Sequence, residues 1–437
     1  MNQRTRTLIM VAVAVITTLL AWATRPASIV DSRFADVGSP LTPALTDPAQ
    51  VASMEVIAYS DAAARHRAFK IEFDGQRWII PSAYNYPADA VSKIAEAASV
   101  FVGPTREAVV TDRRIDHARL GLVDPTDESG DPTGRGVRVT IRDAKGQTLA
   151  DLIIGHTPEG EPAGSGQRFV RLASSDRAYR TSFHTPLETA LSVNLTDWID
   201  TDLLHVDADE ITRVELDASS VDETRRQRVE GERFIISRDD QTDHKSGAWR
   251  LEPALTPVDQ PAADAFVAAI AGLQLVGVEA MPRKIARLLD GSELNAALDA
   301  NDLIRMQRAG FFLSPDGLLI ANAGNLRFRT DDGLDYTLWF GEIASGSAPH
   351  GALFTADDQP APAETNTDTR YVFVTVAAAN PDDEVAKAKA MERSRRHAAW
   401  WLLIDESSFV KLHPTLADLA PDHDKSEADP APGQPAP

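Results

Sequence analysis

Lys387, Lys389, Arg393, Arg395 and Arg396 gather positive charge on one short stretch of an otherwise acidic chain, the sharpest chemical anomaly in the sequence. Cations placed this way can meet anionic lipid headgroups, at about 1 kcal/mol each, or the acidic face of a partner. The same stretch reads better as a solvated helix from Asp382 to His397. Its acids Asp382, Asp383 and Glu384 lie at the N-terminal end, its cations at the C-terminal end, and Val385, Ala388 and Met391 turn inward. Trp400 and Trp401 follow; strand alternation would leave one buried and one exposed, the exposed one a candidate interface anchor, but core packing is the better reading. Asp197, Asp200, Asp202, Asp207, Asp209 and Glu210 form the densest acidic stretch, where hard cations such as calcium could find carboxylate oxygens. The spacing lacks the glycine and alternation of a dedicated loop, so it reads better as a helix end with solvated charge, and Asp127, Glu128 and Asp131 near Gly130 as a polar loop.

Ten histidines are scattered through the chain, none four residues from another, and read as surface or locally bonded side chains rather than metal ligands. No phosphate-binding loop, HExxH pair, GxSxG elbow, dinucleotide fingerprint or EF-hand loop occurs. No catalytic, cofactor-binding or metal-binding residue is assigned, and no cofactor is expected.

The chain has 437 residues, and at about 150 residues per domain it has room for two to three. Lys and Arg total 44 against 65 Asp and Glu, a formal charge of −21, which disfavours nucleic acid because phosphate binding needs clustered cations. Cysteine is absent, excluding disulfides, thiolate metal sites and thiol nucleophiles.

From Leu8 to Trp22 the chain is uncharged and apolar, with Arg4 and Arg6 before it and Arg25 after. It predicts an N-terminal transmembrane helix within residues 1–24, at the short end of the roughly 17 to 25 residues that span a bilayer. A cleaved signal ending at Ala21-Trp22-Ala23 is the other reading. Both place the body outside the cytoplasmic membrane, with the N-terminus inside. Residues 25–50, with Pro40, Pro43 and Pro48, read as a semi-extended tether. Residues 416–437, with four Asp and five Pro, read as a disordered acidic tail.

Between them an order of landmarks occurs twice. Phe69, Ile71 and Phe73 alternate with charges, Asp74-Gly75 turns the chain, a Trp78 strand returns, and a helical period runs through Val91, Ile94, Ala98 and Phe101, with Asp89 in its first turn. Gly121-Leu122, the alternating Val137, Val139 and Ile141, a Lys145-Gly146 turn, Leu149 to Ile154, and strands at Arg168 to Leu172 and Ala178-Tyr179 follow. The second half begins at Ile211, Val214 and Leu216. It continues through Trp249, a helix from Pro261 with Asp264 in the place of Asp89, Gly310-Phe311, Leu326 and Phe328, an Asp332-Gly333 turn, Tyr336 to Phe340, Arg370 to Val374 and Trp401 to Ile404. This predicts an α+β fold of two tandem repeated modules, 51–204 and 205–415, each a twisted antiparallel sheet with a helix packed on one face. A helix from Pro186 to Trp198 precedes the boundary, and a loop insertion occupies 342–369.

Gly310 to Gly317, Tyr336 to Glu342 and Arg370 to Val374, with Gly121-Leu122 before Pro125 and Asp89 after Trp78, resemble the bacterial membrane-anchored family of domain of unknown function 4340. The resemblance covers about Leu8 to His413. Such proteins often occur beside ABC-type export systems similar to those of gliding motility, which implies an envelope accessory role and protein partners in such a complex. The family carries no catalytic residues to transfer.

The sequence therefore predicts a non-enzymatic, single-pass protein of the inner membrane, its body in the periplasm or extracytoplasmic space, acting as an accessory to an ABC-type export or gliding-motility-like complex. An alternative is a module binding a glycan or lipid in a cleft between the repeats, walled by Tyr84, Tyr86, Trp339 and Trp401. A hydrolase using the acidic stretch would need two carboxylates facing each other across a cleft.

Overall fold

The computed structural model describes residues 3–23, 34–60, 65–127, 133–162, 165–185, 187–222, 227–238, 247–289, 298–314, 319–344 and 368–421. After helix α1 (Gln3–Ala23), the chain builds nine strands: β1 (Val51–Ser60), β2 (Arg65–Phe73), β3 (Trp78–Ile80), β4 (Tyr86–Pro87), β5 (Ala108–Thr111), β6 (Val137–Asp143), β7 (Thr148–Ile154), β8 (Gln167–Leu172) and β9 (Ala178–Ser182). They pair antiparallel in the order β4-β3-β2-β1-β6-β7-β8-β9-β5. Helices α2 (Val91–Ser99), α3 (His117–Leu120) and α4 (Leu187–Ala190) lie between strands or after them.

The second half opens with β10 (Ile211–Asp217) and a small hairpin of β11 (Ser220–Asp222) and β12 (Gln227–Val229). Then come β13 (Arg233–Arg238), β14 (Trp249–Leu251), β15 (Thr256–Pro257), α5 (Gln260–Ala271), β16 (Gly277–Ala280), α6 (Arg283–Leu289) and α7 (Ala300–Arg308). A second hairpin, β17 (Phe311–Leu313) and β18 (Leu319–Ala321), leads to β19 (Asn325–Thr330), β20 (Leu334–Ala344), β21 (Thr369–Ala378), α8 (Glu384–Arg395), β22 (Trp400–Asp405) and α9 (Glu406–Lys411). The large sheet runs β15-β14-β13-β10-β19-β20-β21-β22-β16, the same order as the first when β10 stands for β1 and β13 for β2. The molecule is thus a mixed α/β fold built on two large antiparallel sheets.

Local chemistry explains the strands. In β2, Phe69 and Ile71 are buried, while Lys70 and Glu72 pair on the other face. Asp74 Oδ1 then accepts from the N–H of Gln76 and Arg77 at 2.8 and 2.9 Å, an Asx turn that Gly75 completes at φ 101°. Asp143 does the same for Lys145 and Gln147 between β6 and β7. Ile94, Ala97 and Ala98 of α2, and Phe266, Val267 and Ile270 of α5, enter one contiguous core that runs through both halves. Asp259 caps α5 by accepting from Ala262 N–H at 3.2 Å. Asp259, two residues after β15, therefore occupies the place that Asp89 holds after β4. Asp264 instead accepts from the Trp249 indole at 3.1 Å, and α2 starts at Ala90 with no side-chain cap.

Two glycine contacts recur. Where β7 ends, His156 N–H donates to the Leu120 carbonyl at the end of α3; where β20 passes the end of α7, Glu342 N–H donates to the Ala309 carbonyl. The preceding glycines, Gly155 and Gly341, lie so close that an added Cβ would stand 2.2 and 2.0 Å from those same carbonyl oxygens. Arg370 sits in matching register to Arg168, since Val170 opposes Ile154 and Val372 opposes Phe340. Arg370 donates to the Gly341 carbonyl at 2.7 Å and forms a bidentate pair with Glu406 on α9 at 2.8 Å.

Several expectations change. Part of the 25–50 segment is no tether: Leu41 and Leu45 are in the core, and Leu41 N–H bonds the Pro104 carbonyl. The segment before β10 docks alike, Leu203 N–H bonding the Leu273 carbonyl. The tail joins the body as far as Leu419, which is buried and whose carbonyl accepts from Asp259; 422–437 lie outside the described residues, as do 345–367 of the insertion, 315–317 of the glycine-rich motif and the Glu128 to Asp131 loop. The helix expected from Pro186 to Trp198 reduces to α4 and a single 3-10 turn, Leu195–Asp197, closed by side-chain bonds of Asp197 and Ser192. Trp400 and Trp401 are both buried, at 8% and 3% exposure, because both faces of β22 are covered. Val385 and Met391 of α8 are 68% and 58% exposed, and the helix instead packs through Ala386 and Ala390, whose small size lets it approach β21 closely. On α1, the described side chains from Met10 to Leu20 are exposed. Among the described residues, no helix is long and apolar enough to cross a membrane.

The glycine contacts predict that Gly155→Ala and Gly341→Ala each lower the free energy of urea unfolding by more than about 2 kcal/mol. Gly146→Ala meets no neighbour and carries only its positive φ, so about 1 kcal/mol is expected.

Candidate functional site

At the junction of the halves, three stretches of chain line an open cleft of about 630 Å³. From the first half come Arg77 on the β2–β3 turn, Tyr86 and Pro87 of β4, and Ala88 and Asp89 ahead of α2. The chain connecting the sheets contributes Asp200, Asp202 and Leu203; the end of α8 and its approach to β22 contribute Arg395, Arg396, His397, Ala399 and Trp400.

Each stretch is held by local bonds. Tyr84 and Asn85 adopt left-handed backbone, at φ 57° and 59°, which turns the chain so that Asn85 N–H reaches the Ile80 carbonyl. The Tyr84 carbonyl accepts from the Trp400 indole at 3.1 Å, and the Tyr86 ring meets Trp400 edge-on at 5.0 Å. In the connecting chain, Asp202 Oδ1 accepts from the N–H of Leu204 and His205. His205 Nε2 lies 2.6 Å from Asp200 Oδ2, and Arg396 Nη2 lies 3.0 Å from the same nitrogen and 3.6 Å from that carboxylate oxygen. Arg393 donates to the His205 carbonyl at 3.4 Å. The end of α8 is therefore tied to the chain between the sheets.

Burial sets the protonation of two cleft groups. His397 is 5% exposed, and desolvation, reinforced by the nearby charge of Arg396, holds its imidazole down to about 4. It is neutral at neutral pH. Burial likewise pushes the Tyr86 phenol up to about 12, so it stays protonated. The cleft thus offers guanidinium donors, carboxylate acceptors, a neutral imidazole and an aromatic wall, an arrangement suited to binding a polar ligand.

The structure divides the five basic residues expected as one surface. Lys387 pairs with Glu384 at 2.8 Å and Lys389 with Asp332 at 3.6 Å, Arg393 turns to His205, and only Arg395 and Arg396 line the cleft. Of the four expected aromatic walls, Tyr86 lines it and Tyr84 supplies a carbonyl. Trp401 faces the opposite side of β22, stacked on Phe311 at 4.7 Å, and Trp339 packs against that same cluster. Asp200 and Asp202 do reach the cleft, but their carboxylates are committed to His205 and to backbone N–H groups. Among the described residues no group of three or more acidic or histidine side chains could hold a metal ion. Arg77, His397 and Trp400 carry no motif in the sequence, only the adjacency of the last two to the basic helix pointing toward them, and Asp89 stands out only as a landmark of the repeat and of the family resemblance.

Residues 78–291 match the family described as Domain of unknown function (DUF4340), and through this segment the chain belongs to that family. The match spans from β3 to just beyond α6, crossing the connection between the sheets, and ends before Gly310, Tyr336 and Arg370, which head three stretches of the sequence resemblance. No curated protein and no solved structure matches the chain.

Because the folded pKa of His397 lies below the unfolded value of 6.5, the unfolded state takes up its proton first as pH falls. The stabilisation is complete above about pH 6.5 and is lost toward pH 4, up to about 3 kcal/mol. Urea unfolding between pH 4.5 and 7.5 should therefore show a weaker pH dependence in His397→Gln than in the wild type; parallel slopes would show that His397 titrates alike in the folded and unfolded states.

Proposed function

We propose that this protein is a single-pass envelope protein whose body lies outside the cytoplasmic membrane and acts, without catalysing a reaction, as an accessory to an ABC-type export or gliding-motility-like complex. The observation that carries the reading is α1: its side chains from Met10 to Leu20 are exposed. Seven of them are large and apolar, among them Val13, Ile16 and Leu20. Such an exposed apolar surface calls for an apolar surrounding, and a bilayer supplies it. Arg4 and Arg6 ahead of the apolar run place the N-terminus on the cytoplasmic side.

The two sheets are copies of one module in this reading, supported by the shared strand order and by the recurring glycine-to-carbonyl contacts. Duplication of a sheet module multiplies surface that partners can hold. The association with export complexes rests on the family resemblance, and the exposed cations Lys387 and Lys389 of α8 are its proposed contact surface.

Crosslinking of the full-length protein in its native membrane, followed by mass spectrometry of captured proteins, tests this. An ABC-type permease or its auxiliary subunits should be recovered, and lost in a variant lacking Leu8 to Trp22. Recovery of the bait alone from membranes, or the same partners without the N-terminal segment, would contradict it.

A further inference from the structure

Beyond that reading, we propose that the cleft between the two sheets is a binding site for an anionic sugar, a pyranose bearing a carboxylate or phosphate group.

The cleft arginines are not equivalent. Arg396 is held by Asp200 and His205. Arg395, by contrast, has among the described residues only the hydrogen bond to Met391 Sδ, at 3.5 Å. Arg77 forms no side-chain hydrogen bond or ion pair among the described residues; its backbone N–H closes the Asp74 turn. Two guanidinium groups with no ion pair among the described residues, Arg395 and Arg77, the latter within the field of the Asp74 carboxylate, are carried by opposite halves and line one concave surface. A planar fork of donors with no acid attached matches the oxygens of a carboxylate or phosphate.

The rest of the lining matches hydroxyl groups. Asp89 also has no side-chain partner among the described residues and can accept from them. His397 is almost fully buried at the cleft, and its Nδ1 has no hydrogen-bond partner among the described residues. That nitrogen is closed to solvent, so His397 serves as a fixed part of the wall rather than as a partner to a ligand hydroxyl. Tyr86, held edge-on by Trp400, provides an aromatic wall of the kind that flanks ligand pockets. Besides the aromatic rings, the apolar lining is Pro87, Ala88, Leu203 and Ala399, in a cleft that is open to solvent. Acidic, basic and neutral polar groups around one aromatic ring select a polyhydroxylated ring with a negative charge over a lipid tail.

The test is calorimetric titration of the full-length protein in a detergent that contains no sugar. The probes are glucuronate, glucose 6-phosphate, glucose and inorganic phosphate. Glucuronate or glucose 6-phosphate should bind, with glucose and inorganic phosphate each weaker by about tenfold or more. The Arg77→Ala/Arg395→Ala double variant should lose about tenfold for the anionic sugars and leave glucose binding and the thermal midpoint unchanged. Tyr86→Phe, which keeps the ring, should bind as the wild type does. Inorganic phosphate binding as tightly as glucose 6-phosphate would reduce the cleft to a simple anion site and overturn the proposal. Failure of all four probes to bind, or an unchanged double variant, would overturn it as well. None of these outcomes depends on membrane partners, so the result stands apart from the accessory reading.

Discussion

The indole of Trp400 leaves the second sheet at the start of β22, donates its N–H to the Tyr84 carbonyl of the first half at 3.1 Å, and meets the Tyr86 ring edge-on. A buried tryptophan usually finds an acceptor for its N–H, and the left-handed backbone at Tyr84 and Asn85 turns one toward Trp400. This contact fixes one wall of the cleft. The opposite restraint is ionic: Arg393 and Arg396 on α8 reach His205 and Asp200 on the chain between the sheets. Because Ala386 and Ala390 are small, α8 lies close enough to β21 for its end to make these bonds.

The two sheets show how one local solution can serve twice. In each, a strand passes the end of a helix at backbone distance, which only glycine permits, and the next residue bonds the helix carbonyl. The halves differ in what they add. The second carries α6, α7 and the β17–β18 hairpin, which with Trp401 form a separate small core around Phe311, Met281 and Met306. That addition covers the second face of β22, so the strand is apolar on both sides rather than alternating.

Much of the strand order was legible because turns announce themselves: Asp74-Gly75, Lys145-Gly146 and Asp332-Gly333 separate alternating runs, and the alternation survives as Ile71, Val139 and Phe328 in the core. Strands β1 and β13 were harder, since β1 mixes apolar and polar residues over a long stretch and β13 is short, which led the sequence to align β10 with β2. Trp400 and Trp401 misled for another reason. Alternation reports one sheet face against solvent, and here both faces are covered by elements distant in sequence. The cleft was least legible. Arg77, Asp89, Asp200 and Arg395 share no spacing, and only the packing of the halves brings them together.

Buried residues of both sheets contribute to one contiguous cluster that crosses the joint. Function then rests on that joint, whether the body presents surfaces to partners or holds a ligand between its halves. Equilibrium urea unfolding of the full-length protein, followed in parallel by tryptophan fluorescence and far-UV circular dichroism, tests this most directly. Tryptophans lie in both halves, at Trp78 and Trp198 and at Trp249, Trp339, Trp400 and Trp401. A shared core predicts one transition with coincident curves from the two probes; two separated transitions would show that the halves fold independently and contradict the account.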